Sequence, residues 1–197
     1  MCQFQQFRFP SSDGSSSCYA GAWLPPEEPR GVVQIVHGVG EHIGRYETAA
    51  RFLTRQGFLV CGEDHLGHGN TVQDGRYGAF APQNGWKLVV ADIARLRRIQ
   101  GEKHPGVPYF LLGHSMGSFL TRTYLIDHPG TVDGAILSGT GQEPAPLVAF
   151  GKLLAGLECR RLGYDGVSPL VDRLSLGAYN RRFRPNRTSA DWLSQIG

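Results

Sequence analysis

Residues 109–120 read Tyr-Phe-Leu-Leu-Gly-His-Ser-Met-Gly-Ser-Phe-Leu, a short apolar run that ends in Gly-His-Ser-Met-Gly and passes at once into a helical pattern. No other stretch restricts the chain so tightly. The run suits a central parallel strand, and Phe119, Leu120, Thr123 and Tyr124 repeat at helical spacing beyond it. Between strand and helix there is room only for a sharp turn carrying Ser115. Its flanks must be small, and Gly113 and Gly117, two residues to either side, provide that clearance. A serine on such a strained turn is presented as a nucleophile. The bland alternative is a glycine-rich turn with an incidental serine.

The rest of the chain keeps the same rhythm of strand and helix. Phe4, Phe7 and Phe9, with residues 18–24, read as a hairpin closed by the polar residues 10–15 and ended by Pro25 and Pro26. Residues 31–36 form a β-branched run suited to a strand buried on both faces, and it stops at His37-Gly38-Val39-Gly40. A helix follows over 45–56, with Phe52 and Leu53 inward and Gly57 as the stop. Residues 58–61 make the next strand, ending in Glu63-Asp64-His65-Leu66-Gly67-His68-Gly69. A helix over 85–100 keeps Trp86, Val89, Val90, Ile93 and Leu96 on one face and turns Arg95, Arg97 and Arg98 to water. The helix after Ser115 ends at His128-Pro129-Gly130, and residues 135–137 are one further strand. Such alternation implies βαβ units and a mostly parallel sheet with helices on both faces.

Beyond Gly139 the rhythm changes. A helix over 146–162 carries Leu147, Phe150, Leu154 and Leu157 in one stripe and stops at Gly163, and the remainder reads as loop with Tyr179, Phe183 and Trp192 scattered in it. The expected division is a core over 1–139 and a separate helical segment over 140–197. A net charge of +3 across 197 residues is too small and too dispersed for a nucleic-acid partner. The local basic cluster of Arg160, Arg161, Arg181, Arg182, Arg184 and Arg187 reads as a solvated face. Cys2, Cys18, Cys61 and Cys159 have neither metal nor disulfide-framework spacing, which points to a reducing, cytoplasmic compartment. Residues 1–10 lack the charged and apolar regions of a signal peptide, and no apolar run approaches membrane-spanning length.

A serine hydroxyl attacks a carbonyl only if a base takes its proton and donors stabilise the oxyanion. By position, the N–H of Met116 at the start of the helix is one donor. The loop His37-Gly38-Val39-Gly40, ending an adjacent strand at the same sheet edge, can supply the other from Val39.

Four stretches now stand in order: His37-Gly38-Val39-Gly40-Glu41-His42, Arg45-Tyr46, Asp64-His65-Leu66-Gly67-His68-Gly69 and Gly113-His114-Ser115-Met116-Gly117. Together they resemble the α/β-hydrolase family of monoacylglycerol lipases and lysophospholipases, the serine aminopeptidase S33-like hydrolases. Tyr179-Asn180 and Asp191-Trp192-Leu193-Ser194 resemble its cap region. The resemblance implies an α/β-hydrolase fold with a partial helical cap and the last strands missing. It further implies Ser115 as nucleophile, Val39 and Met116 as oxyanion hole, a single-chain acyl ester as substrate, and no cofactor. Transient contact of the cap with a membrane surface stays open.

The family's order is nucleophile, acid, then histidine, the last two on strands beyond the cap. Here the only histidine after Ser115 is His128, thirteen residues on, which helix rise converts to about 20 Å. Asp165, Asp172 and Asp191 have no histidine to orient. The chain therefore reads as a fragment of a longer hydrolase, with the acid and base of the triad outside it. The trailing strand over 135–137 is then an apolar, unpaired edge. His114 is expected to point away from the nucleophile, and His37 and His42 to shape the oxyanion loop. A metal at His65, His68 and Asp64 is the weaker reading beside a structural turn. Glu41 and Arg45 shape the loop or touch a polar head group. The Leu147 stripe lines an acyl-chain pocket or packs as an ordinary cap helix. A catalytically inactive binding module, and a peptidase or acyltransferase on the same scaffold, are the alternatives to an ester hydrolase.

Overall fold

Parity along three central strands decides how the sheet is covered. The computed structural model describes residues 2–163 and 166–175. Strands β3 (Gly31–Val36), β4 (Phe58–Glu63) and β5 (Tyr109–His114) send alternate side chains to opposite faces. Val32, Val36, Leu59, Cys61, Tyr109 and Leu111 enter one apolar cluster with Val89, Val90, Ile93, Leu96, Leu120 and Tyr124. Val33, Ile35 and Val60 enter a second with Ala50, Ile43 and Trp23. Helices α2 (Gly85–Lys103) and α3 (Met116–Asp127) thus cover one face, and α1 (Glu47–Arg55) covers the other.

The sheet has six strands in the order β1-β2-β4-β3-β5-β6. The hairpin of β1 (Gln3–Pro10) and β2 (Ser17–Leu24) pairs Gln3 with Leu24 and Pro10 with Ser17, and β2 runs antiparallel to β4. From β4 to β6 (Gly134–Ser138) all pairs are parallel. The chain leaves β3 through α1 to β4 on one side, then returns through α2 to β5 on the other. The strand order reverses between β3 and β5, the place where open α/β sheets present ligand crevices at the carboxyl ends of their strands. Both the residue 37–40 loop and Ser115 stand there.

A buried carboxylate pins the hairpin to α2. Asp92 accepts the Ser11 hydroxyl at 2.6 Å and the Ser12 N–H at 2.6 Å, with the Cys18 thiol at 3.4 Å. Burial beside Asp92 and Glu63 raises the Cys18 thiol far above its ordinary value, so it stays protonated.

Three expectations need correction. Phe52 is exposed, and Ala50 and Thr54 are the buried residues of α1, because the chain enters that helix through a 3-10 turn over Ile43–Tyr46 that rotates its face. Phe119 is likewise exposed, and the buried stripe of α3 is Gly117, Leu120, Thr121 and Tyr124. Arg97 does not face water: its guanidinium lies over the Tyr109 ring at 5.2 Å, while Arg95 donates to the Pro10 carbonyl and only Arg98 is open to solvent.

The chain divides into two compact units, the second beginning at Gly141. In it, α4 (Ala145–Leu162) has Pro146 in its first turn and ends at Gly163, whose φ is +82°. A short helix α5 (Pro169–Ser175) lies where the sequence reads as loop. Arg161 and the Ser168 hydroxyl both bond Glu158, tying the end of α4 to the start of α5 and lowering the Glu158 carboxyl to about 2. Leu147, Phe150 and Leu157 of the expected stripe are exposed, and Leu154 is half-buried. Tyr179, Asn180, Asp165, Phe183 and residues 191–194 lie outside the described residues. No helix among those described is long and apolar enough to cross a membrane.

Two outcomes follow from these contacts. Asp92→Ala should lower stability to urea by about 2–4 kcal/mol, because it leaves the buried Ser11 hydroxyl and the Ser12 N–H unpaired. A loss below about 0.5 kcal/mol would show the clamp to be idle. Strands β1 and β6 are the two edges of the described sheet, and Ile136 of β6 is 55% exposed, so Ile136→Lys should reduce any concentration-dependent association seen in sedimentation velocity, and unchanged association would refute this edge as its cause.

Candidate active site

Ser115 is one of two non-glycine residues with positive φ among those described, at φ +51° and ψ −120°. Holding a side chain there costs on the order of 1–3 kcal/mol and needs restraint from all sides. Its N–H donates to the Ser138 carbonyl at 2.9 Å, and its carbonyl accepts from Ser118 N–H at 2.9 Å and Ser118 Oγ at 2.6 Å. Glycine makes the turn possible. A Cβ on Gly117 would overlap the Val36 carbonyl oxygen and lie 2.6 Å from that of His37, and one on Gly113 would lie 2.5 Å from the Gly117 carbonyl oxygen.

That close approach brings the loop after β3 against the serine. A Cβ on Gly38 would sit 3.2 Å from the Ser115 Cβ and 2.8 Å from Glu41 Oε2. Glu41 shapes this loop: its Oε2 accepts the Gly38 N–H and the Tyr46 hydroxyl, both at 2.8 Å, with Arg45 Nε 3.7 Å from Oε1. Burial and the Glu41 carboxylate push the Tyr46 phenol far above its ordinary value, so it remains a donor. Met116 opens α3, and the first N–H of a helix has no carbonyl within the helix to bond. Among the described residues the Val39 and Met116 amides donate to no protein group.

His37 is fully buried and bonded at both ring nitrogens. Its Nδ1 donates to the Gly38 carbonyl at 2.8 Å, and its Nε2 accepts the His65 N–H at 3.0 Å. This assigns the proton to Nδ1. The ring therefore has no free nitrogen with which to act as a base or metal ligand. His114 turns aside, with Nδ1 3.3 Å from Ser138 Oγ. His128 caps the far end of α3 and packs on Tyr124. Among the described residues no histidine is bonded to the Ser115 hydroxyl.

Asp64, named in the sequence as one member of a motif and as a weak metal candidate, anchors the loops. One carboxylate oxygen accepts the Ile43 N–H and the other the Asn70 N–H, each at 2.7 Å, so it braces the loops on both sides of β4. That commits both its oxygens to backbone amides. With His68 Nδ1 at 3.0 Å from the Leu66 carbonyl, the residue 64–69 stretch is a hydrogen-bonded turn. The motif named the carboxylate, but nothing in the sequence showed which amides it would bond.

The family described as serine aminopeptidase, S33, matches residues 27–194. The chain belongs to that family. Within the S33 family it is 36% identical to a monoacylglycerol lipase of Mycolicibacterium smegmatis over 156 residues, 74% of this chain and 54% of that protein. Against the human monoglyceride lipase it is 35% identical over 115 residues, 58% of this chain and 36% of that protein. A thermostable carboxyl esterase from Bacillus coagulans, solved in complex with glycerol, superposes with a TM-score of 0.83 at 32% identity, over 98% of this chain and 62% of that one. The S33 chain thus spans 36–54% of the length of these two curated relatives, and its fold is that of the α/β-hydrolases.

Burial and the neighbouring histidines hold the His37 ring well below its ordinary value of 6.5, and burial lowers His68 as well. A histidine neutral in the folded state takes up a proton on unfolding, so its contribution is complete above the unfolded value and is lost as pH falls toward the folded one. The melting temperature should fall steadily between pH 7 and pH 5.5, with a shallower slope in His68→Asn. A flat profile over that range would contradict the assignment.

Proposed function

We propose that this chain carries the nucleophile half of a serine ester hydrolase acting on single-chain acyl esters of the monoacylglycerol or lysophospholipid type. The observation that carries the reading is Ser115, held in a disfavoured backbone conformation with the Gly38 loop against it. Support for the substrate class comes from the lipase and esterase relatives.

In this reading the Ser115 hydroxyl attacks the ester carbonyl as a base takes its proton. The Val39 and Met116 N–H groups stabilise the oxyanion, and the alcohol departs to leave an acyl-enzyme that water then cleaves. His37 and Gly38 set the direction of the Val39 donor, Gly113 and Gly117 allow the turn, and His114 supports it from the β6 side. The base that completes the triad is none of this chain's seven histidines, and in this reading it comes with its acid from a further part of a longer protein. The unit beginning at Gly141 serves as part of a helical cap.

A fluorophosphonate probe followed by monoacylglycerol, lysophospholipid and peptide substrates tests this on the longer protein the reading requires, in which the acid and base are present. Expected are stoichiometric labelling that vanishes in Ser115→Ala and turnover of the acyl esters above the peptides. An unlabelled wild-type protein would favour a binding module, and preferential peptide cleavage would favour a peptidase.

A further inference from the structure

The oxyanion loop rests on a buried polar line that the reading above does not use. Tyr109 donates its hydroxyl to Gln34 Oε1 at 2.6 Å, which turns the Gln34 amide nitrogen toward the Ile93 carbonyl at 3.1 Å and Glu63 Oε2 at 3.3 Å. The other Glu63 oxygen stands 3.2 Å from His65 Nδ1, and both side chains are fully buried. The approach does not have hydrogen-bond geometry: among the described residues Glu63 Oε1 and both His65 ring nitrogens are buried without a hydrogen-bond partner. The His65 ring in turn stacks on His37 with centroids 3.9 Å apart and planes 26° from parallel.

The stack matters because of what His37 holds. The Gly38 carbonyl and the Val39 N–H belong to one planar peptide unit, so the bond from His37 Nδ1 to that carbonyl fixes where the Val39 N–H points. A flip of the His37 ring about its Cβ–Cγ bond would exchange Nδ1 for a carbon and release the peptide. His65 opposes the flip twice, with its backbone N–H on Nε2 and its ring flat against the His37 face.

We propose that His65 is a positioning residue for the oxyanion donor Val39, acting as a wall that keeps the His37 ring in the one orientation that grips the Gly38 carbonyl. This rests on the assignment of Val39 and Ser115 given above.

Two double variants test the wall without leaving a buried charge unpaired. Glu63→Gln with His65→Ala removes it, and Glu63→Gln with His65→Phe keeps an aromatic face in its place. In the first, made in the longer protein that carries the acid and base, the rate constant for fluorophosphonate labelling of Ser115 should fall about 10- to 100-fold while the final stoichiometry stays at one per folded chain. The phenylalanine variant should recover to within about threefold of wild type. A purely structural role would lower the folded fraction and leave the rate constant alone. Equal rates in all three proteins, or a phenylalanine variant as slow as the alanine one, overturns the proposal.

A second measurement does not depend on catalysis, nor on the alanine variant folding. In a 15N-edited spectrum of the histidine rings, wild-type His37 should be a single tautomer protonated at Nδ1, and a ring protonated at Nε2 or exchanging between tautomers would refute the lock. If that spectrum is as expected and the longer wild-type protein, with its acid and base present, is not labelled at all, the ester hydrolase reading fails and the lock stands.

Discussion

The approach of Gly117 to the carbonyls of Val36 and His37 is the contact on which the rest of the site depends. It sets the separation between the first turn of α3 and the end of β3, two segments about eighty residues apart in the chain that supply the strained serine and the loop beside it. Any side chain at position 117 would drive them apart. The parallel register of β3 on β5, with Val36 opposite Gly113, then carries that local fit into the sheet.

Around this contact the protein places an unusual amount of polar chemistry in its interior. Glu63, Asp64, His65, His37, Gln34 and Asp92 are all buried, and burying such groups is costly unless each finds a partner. Asp64 meets this demand with two backbone amides, Asp92 with Ser11 and Ser12, and Gln34 with Tyr109 and Ile93. Apolar side chains pack in many alternative ways, whereas these bonds are satisfied only in one arrangement of the loops at the carboxyl ends of the strands. Rigid loops are what a backbone N–H needs if it is to serve as a fixed dipole.

Much of the architecture was legible because it rests on local patterns. The β-branched run at 31–36, the apolar run before Ser115 and the helical stripe of Val89, Val90, Ile93 and Leu96 each encode their own element. Errors arose where rotation about a helix axis was decided elsewhere. Phe52 and Phe119 have the right spacing for burial, yet the turn entering α1 and the glycine seat of α3 presented neighbouring stripes inward. Arg97 read as a surface charge because sequence does not reveal that an aromatic face, Tyr109, waits beside it. Helix α5 has only seven residues and a proline start, too short for periodicity to show.

Ser115, the glycines around it and the loop 37–40 were fixed by sequence alone, because a strained turn and close backbone approach admit only certain residue types, and those types can be read without coordinates. Tertiary structure alone decided what faces the loop. That Glu41 grips Gly38, that Asp64 ties two loops together, and that the His65 ring stacks on His37 all depend on segments brought side by side from distant parts of the chain. A hydrogen bond requires a partner within about 3 Å in the right direction. Spacing along the chain carries no such information across a parallel sheet, where neighbouring strands are separated in sequence by a whole helix.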